Sequence, residues 1–404
     1  MQIQDFYLHS KSDNYFKKFL IMPLLINWIL LLIFWLLAVY STSVYESFIT
    51  TAKSVNFVEP TNYFYFQQQI KALLYIWIIF LLLWKFPIKS LKNHKFAWTL
   101  MILCLIFQCL VFTPLWDSYN WARWWLNIPH IPSIQPSEFF KLAYIIFLAS
   151  RLTRKKWNMN SPQFLLVFVV LNALLYLIFL LIPDFWTVLI IWATALVMVR
   201  FSWLNIKKTL SILWIWLWAW VIAWLTLGLI SDKFNYITKR FEYFFTVDKE
   251  KIEEERERAW RQTTQALIAI WWWGFFWNWY GNGLQKYSNL PEAYCDFIFA
   301  AFSEEIWFFW NLFLIALYVR MFVYVLRHLQ KVKDPQLKLI WIWIISLIII
   351  QTLVNMWVNI KIIPTTWITL PFISAWWSSL MVNCIELLLL YKIIKLENKV
   401  LPVK

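Results

Sequence analysis

Asp296 stands at a boundary between two kinds of sequence. The polar stretches Gly281-Asn282-Gly283-Leu284-Gln285-Lys286 and Leu290-Pro291-Glu292-Ala293-Tyr294-Cys295 precede it, and the uncharged run Phe297-Ile298-Phe299-Ala300 follows. A carboxylate at the mouth of an apolar helix loses hydration, which raises its pKa and makes it a usable base. An aspartate there also serves as a helix cap, so alone it fits either role. Glu304 and Glu305 follow one to two turns later. A second polar cluster is Gln135-Pro136-Ser137-Glu138-Phe139-Phe140-Lys141, preceded by Asn120 to Leu126 with Arg123. Pro136 and Ser137 start a helix well, and Glu138 and Lys141, three residues apart, can pair on one face. Such a pair is either a salt bridge that allows two charges to be buried or the polar floor of a cavity. The third cluster, Pro183-Asp184-Phe185-Trp186-Thr187, places Asp184 to cap the helix that follows.

These residues must be positioned by membrane helices. The 404 residues are 62% hydrophobic with a mean hydropathy of +0.59. The apolar residues come in long uncharged runs, such as Leu20 to Val39 and Leu210 to Ile230, and a bilayer core about 30 Å thick needs roughly 20 apolar residues per helix. Helices are expected near 20–41, 67–84, 96–112, 136–150, 163–182, 184–200, 209–230, 297–326, 338–358 and 371–392. The fold class is therefore an all-α polytopic membrane protein of about ten spans. A membrane domain over 20–395 contains a large extracytoplasmic loop, 231–296, between the seventh and eighth helices. Short tails, 1–19 and 396–404, flank it, and neither an internal repeat nor a soluble domain is visible.

The net charge of +15 invites a nucleic-acid reading until the basic residues are placed. They fall in every second connection: Lys85, Lys89, Lys92 and Lys95; Arg151, Arg154, Lys155 and Lys156; Arg200, Lys207 and Lys208; Arg320, Arg327, Lys331, Lys333 and Lys338. By the positive-inside rule these loops and both termini are cytoplasmic, and no nucleic acid is implied. Cys104, Cys109, Cys295 and Cys384 have neither metal spacing nor the look of a disulfide framework. The first helix is expected to remain as a signal anchor. The run Asp248 to Arg258 reads as a solvated amphipathic or flexible stretch.

Taken in order, QPSEFFKL at 135–142, PDFWT at 183–187, QKYSNLPEAYCDFIFA at 285–300, SEE at 303–305 and IPTTWITLPFISAWWSS at 363–379 resemble the SEDS family (shape, elongation, division and sporulation; FtsW, RodA and SpoVE) over roughly 20–395. Leu290 to Ala293 and Asn355-Met356 look more like its division-type branch. The resemblance implies a peptidoglycan glycosyltransferase that polymerises lipid II on the outer face of the cytoplasmic (inner) membrane. Asp296 falls on the family's catalytic aspartate, the base for the acceptor sugar's 4-hydroxyl in an inverting transfer with undecaprenyl diphosphate leaving. Glu138 and Lys141 match positions at the family's central cavity, and Arg123, Gln135, Asp184, Lys286, Glu292, Ser378 and Ser379 complete the expected substrate-binding set. The leaving diphosphate needs positive charge, supplied by Arg123, Lys286 or a divalent cation such as Mg or Mn; the residues specify no metal site and no other cofactor. Implied partners are lipid II, membrane lipid and a class B penicillin-binding protein. Two other classes remain open: a lipid II flippase, since transporters also bury pairs such as Glu138 and Lys141, and a non-catalytic division scaffold.

The chain departs from the family at two places. Tyr294-Cys295 replaces the usual His-Thr before the aspartate. Tryptophan stands where family motifs carry glycine, at Trp121, Trp186, Trp260, Trp271, Trp273, Trp277, Trp279, Trp307, Trp310, Trp357, Trp367, Trp376 and Trp377. Glycine occupies positions needing φ > 0 or close approach, where tryptophan cannot serve. The chain has 4 Gly and 32 Trp; 4 + 32 = 36 is about 9% of the 404 residues, near the usual glycine share of ~7%. These thirteen positions are accordingly expected to be UGA codons read as glycine in the source organism, whereas Trp125 fits the family as tryptophan.

Overall fold

The computed structural model describes residues 3–54, 59–113, 116–119, 122–127, 133–154, 184–202, 207–215, 254–271, 280–287, 290–306 and 308–400, with isolated positions at 166–182, 218, 240, 244 and 245. Among them the helices are α1 (Ile3–Thr42), α2 (Val44–Lys53), α3 (Phe64–Trp84), α4 (His94–Cys109), α5 (Pro136–Leu152), α6 (Phe185–Phe201), α7 (Glu254–Trp271), α8 (Ile298–Ser303), α9 (Phe308–Leu329), α10 (Pro335–Asn359) and α11 (Trp377–Val400). One antiparallel hairpin, β1 (Trp116–Tyr119) and β2 (Ala122–Leu126), pairs Trp116 with Leu126 and Asp117 with Trp125.

Among the described residues five segments are long and apolar enough to cross a membrane: Pro23–Thr42, Phe64–Trp84, His94–Phe112, Phe308–Leu329 and Pro335–Asn359. The chain is a helical membrane protein. α5, α6 and α11 lie at three more of the expected spans. The expected segments 163–182 and 209–230 are described only in part, at ten and eight of their positions.

Local chemistry sets the helix starts. Pro136 and Pro335 take first-turn positions where an N–H has no intrahelical partner. The Asp334 carboxylate accepts from the amides of Gln336 and Leu337 at 3.1 and 3.0 Å, and Asn93 accepts from Lys95 N at 2.9 Å. Lys92 pairs with Asp334, tying the start of α4 to the start of α10.

α10 is the central helix: 67% of its most apolar 18-residue stretch is buried, against 17% in α3. Leu337, Ile340, Trp341, Trp343 and Ile344 are fully enclosed. α3 turns Leu74, Trp77, Ile78 and Leu82 outward, as lipid-facing residues of a span do. Three polar contacts tie buried groups across the bundle: Asn27 Nδ2 donates to Leu317 O at 2.7 Å, Arg320 donates to Asn27, and Trp341 Nε1 donates to Val325 O at 3.0 Å.

Two expected helices begin differently. The segment expected at 297–326 breaks into α8 and α9 around Glu304 and Glu305, because both carboxylates turn to hold the backbone of 281–285. The last helix starts at Trp377 rather than 371, because residues 374–376 pack as turns on the chain before Asp296. Ser374 Oγ donates to Cys295 O at 2.8 Å, and Ala375 N donates to Tyr294 O at 3.1 Å.

Candidate active site

Asp296 lies in the turn that leads into α8, outside the membrane-spanning helices. Glu292 opens that turn with φ of 57°, and its carbonyl accepts from Cys295 N at 3.0 Å and Phe297 N at 3.3 Å. A left-handed glutamate is sterically uncommon, so the turn is held by its surroundings. Two asparagines of α10 provide that hold. Asn355 Nδ2 donates to Asp296 O at 2.9 Å and to Ile368 O at 2.9 Å; Asn359 Nδ2 donates to Asp296 O at 3.2 Å, while its Oδ1 accepts from Ala300 N at 3.1 Å. Asn359 therefore fixes both Asp296, ahead of α8, and a residue within α8.

The Asp296 side chain is 7% exposed. Trp376 Nε1 donates to its Oδ1 at 3.3 Å, and the Trp376 ring stacks on Trp125 with centroids 4.4 Å apart. Burial pushes the carboxyl pKa up to about 8 and the nearby Glu292 charge pushes the same way, while Trp376 and Arg240 oppose it. Such a group is a base whose proton affinity suits a neutral sugar hydroxyl far better than an ordinary carboxylate's. Burial also raises Tyr294 and Cys295 well above their usual values, so both stay protonated and neither competes as the base. Arg240 donates from Nη1 to Thr365 O at 2.7 Å and lies 5.5 Å over the Trp367 ring.

Residues 376–379 connect this turn to the other clusters. Trp377 Nε1 donates to Ser133 O at 2.7 Å, Ser378 Oγ accepts from Gln135 N at 3.4 Å, and Ser379 Oγ is 2.9 Å from Thr369 Oγ1. Directly after Gln135, Glu138 and Lys141 pair at 2.8 Å with side chains 9% and 3% exposed. Glu386, fully enclosed on α11, lies within the field of that pair, and so does Asp184. Asp184 caps α6 through a 3.3 Å bond from Thr187 N.

Lys286 is placed elsewhere. Its ammonium group donates to Glu305 Oε1 at 2.7 Å, Gly281 O at 2.7 Å and Ser41 Oγ at 3.0 Å, which uses all three donors. Glu305 also accepts from Gly281 N at 3.0 Å and from Ser41, and Glu304 accepts from Leu284 N and Gln285 N at 2.9 Å each. Gly283 fits this clamp because a Cβ there would stand 2.9 Å from the Glu305 side chain, and Gly281 has φ of +92°. Lys286 thus closes a buried knot and has no donor left for a diphosphate. The Arg123 backbone lies in β2, and its side chain falls outside the described residues.

Sequence reasoning missed Arg240, Ser374, Trp376 and Glu386 as members of these clusters. Arg240 lies far from the motifs in sequence, and the other three gave no signal beyond their place in or near a motif. Among the described residues no three His, Cys, Asp or Glu side chains are grouped to hold a metal ion.

Comparison with known proteins bears on the whole of this arrangement. The family model for cell cycle proteins of the FtsW, RodA and SpoVE type matches residues 22–399. The chain belongs to this family. The probable peptidoglycan glycosyltransferase FtsW of Bacillus subtilis is 29% identical over 358 residues, 87% of this chain and 85% of the relative. The protein of that name from Lactococcus lactis is 29% identical over 333 residues, 75% of this chain and 77% of the relative. Stage V sporulation protein E of Bacillus subtilis is 32% identical over 285 residues, 70% of this chain and 74% of the relative. These names place the SEDS chain on the FtsW-like side of the family. A chain in a solved peptidoglycan synthase complex that coordinates polymerization and crosslinking superposes with a TM-score of 0.66 at 19% identity, covering 91% of this chain and 97% of that one. Thermus thermophilus RodA superposes with a TM-score of 0.55, also at 19% identity, covering 89% and 94%. Those likenesses establish the family fold.

Proposed function

We propose that this chain is a peptidoglycan glycosyltransferase that polymerises lipid II at the outer face of the cytoplasmic membrane, with Asp296 as general base. The observation that carries the reading is a buried carboxylate of raised pKa, held by its own backbone carbonyl to Asn355 and Asn359, in a family whose curated relatives are named peptidoglycan glycosyltransferases. The Asp296 carboxylate takes the proton of the acceptor's 4-hydroxyl. The resulting oxygen attacks the donor's anomeric carbon, and undecaprenyl diphosphate departs with the electron pair of the broken C–O bond. Inversion needs one base and no covalent intermediate.

Ten spans with both termini in the cytoplasm put the 231–296 loop, and Asp296 with it, on the outer side. With Lys286 committed to Glu305, positive charge for the diphosphate comes from Arg123 or Arg240, or from a divalent cation. Glu138, Lys141, Gln135, Ser378 and Ser379 form the polar floor on which the substrate's head group rests. Glu292 acts through Asp296. A class B penicillin-binding protein is the expected partner, as it crosslinks the strands made here.

Burial of the Glu138–Lys141 pair at membrane depth favours a second reading, translocation of the same lipid. Lipid II polymerisation and lipid II translocation in proteoliposomes, each measured for Asp296→Asn and for Glu138→Gln/Lys141→Met, separate the two. Loss of polymerisation in Asp296→Asn without effect on translocation supports the polymerase. Translocation that depends on the pair and ignores Asp296 supports transport.

A further inference from the structure

At the opposite end of α11 from Asp296, a groove opens between α1, α3 and α11. Leu24, Leu25 and Trp28 of α1, Phe80 and Trp84 of α3, and Leu387, Leu388 and Tyr391 of α11 line it together with Cys384, enclosing about 460 Å³ with the open side. The lining is almost wholly apolar and aromatic. Trp28 stacks with Phe80 at 6.1 Å, and Trp84 stacks with Tyr391 at 5.3 Å.

The chemistry changes at one end. Lys395 is exposed, and its ammonium nitrogen lies 5.8 Å from the Trp84 ring and 5.8 Å from the Tyr391 ring, directly beside the groove's mouth. Among the described residues it has no hydrogen-bonding or ion-pair partner. Lys392, one turn earlier, differs: it donates to Leu83 O and Phe86 O at 2.6 Å each and so finishes the C-terminus of α3. Lys85 and Lys89 are exposed beside that terminus. An interfacial aromatic belt explains Trp84 and Tyr391 singly. It does not explain why they line a concave slot beneath a cation that has no acidic partner among the described residues.

We propose that this groove binds an anionic glycerophospholipid of the cytoplasmic leaflet, with one acyl chain along Leu24, Trp28, Phe80 and Leu388 and the head-group phosphate at Lys395. The slot is apolar where a chain lies and cationic where its phosphate emerges. The basic rim faces the leaflet that carries anionic lipid, which rests on the topology proposed above. The lipid is a structural ligand at the far end of the bundle from Asp296, so its binding stands or falls separately from the glycosyltransferase reading.

The test is native mass spectrometry of the delipidated full-length protein titrated with an equimolar mixture of palmitoyl-oleoyl phosphatidylglycerol and palmitoyl-oleoyl phosphatidylcholine. The wild type should retain phosphatidylglycerol preferentially. Lys395→Gln, a change at an exposed side chain, should lower phosphatidylglycerol retention about five-fold and leave phosphatidylcholine unchanged. Leu25→Trp, at a groove residue 41% exposed, should lower both by filling the slot. Equal retention of the two lipids by the wild type would overturn the proposal, as would phosphatidylglycerol retention that ignores Lys395→Gln. Undecaprenyl phosphate that displaces phosphatidylglycerol with the same dependence on Lys395 and Leu25 would also overturn it, by assigning the groove to a polyprenyl tail.

Discussion

Replacing Lys286 by methionine removes a cation from a site where its own side chain is 2% exposed and that of Glu305 is 0% exposed. A buried carboxylate deprived of its partner costs about 3–5 kcal/mol. Glu305 would keep the bonds from Gly281 N and Ser41, so the lower end, about 3 kcal/mol, applies. Thermal unfolding in detergent, followed by a thiol-reactive dye reaching buried Cys295 and Cys384, should show Lys286→Met melting roughly 3–4 °C below wild type. Adding Glu305→Gln neutralises the stranded charge while keeping an acceptor, and should bring stability back to within about 1 kcal/mol of wild type. Had Lys286 served the diphosphate, the single variant would melt like wild type and lose activity. That outcome, or a double variant no more stable than the single one, refutes the structural role.

The raised pKa of Asp296 fixes the sign of the pH dependence: the base works as carboxylate, so polymerisation rises with pH to half its limit near pH 8, as a pH–rate profile would show. Glu292→Gln removes a charge that pushes Asp296 up, so the rising limb should move to lower pH. Trp376→Gly uncovers the Asp296 carboxylate; glycan synthesis should increase while stability falls by about 2 kcal/mol, and a slower variant would show that the indole assists the base. Gly283→Ala puts a methyl group 2.9 Å from Glu305, and should cost about 1–3 kcal/mol in the same melting assay.

The helical class was legible because lipid-spanning segments must be long and apolar, and the α10 core and the α3 surface both satisfy that demand. Two start signals were equally plain: Pro136 and Asp184 sit at or next to helix N-termini. Asp296 stood out as an acidic residue where a polar loop enters an apolar run, and Glu138 with Lys141 as a spaced pair. What the sequence hid is tertiary. Asn355 and Asn359 lie on one face of a helix that reads as a plain span, yet both reach the Asp296 carbonyl 59 and 63 residues away. Lys286 looked like a free cation, because nothing local reveals that Ser41 and Glu305 close around it. The tryptophans are a separate matter. Among the described residues none has positive φ, so backbone conformation does not mark them as glycine positions, and the Trp376 indole hydrogen-bonds the Asp296 carboxylate.

The most direct measurement is lipid II polymerisation by the purified protein, with glycine at the thirteen family-glycine positions and the class B penicillin-binding protein added, comparing the parent with Asp296→Asn. The amide keeps the shape of the side chain and removes the base. Glycan strands from the parent and none from Asp296→Asn are the predicted result, whereas equal strand synthesis from both would show that Asp296 is not the base.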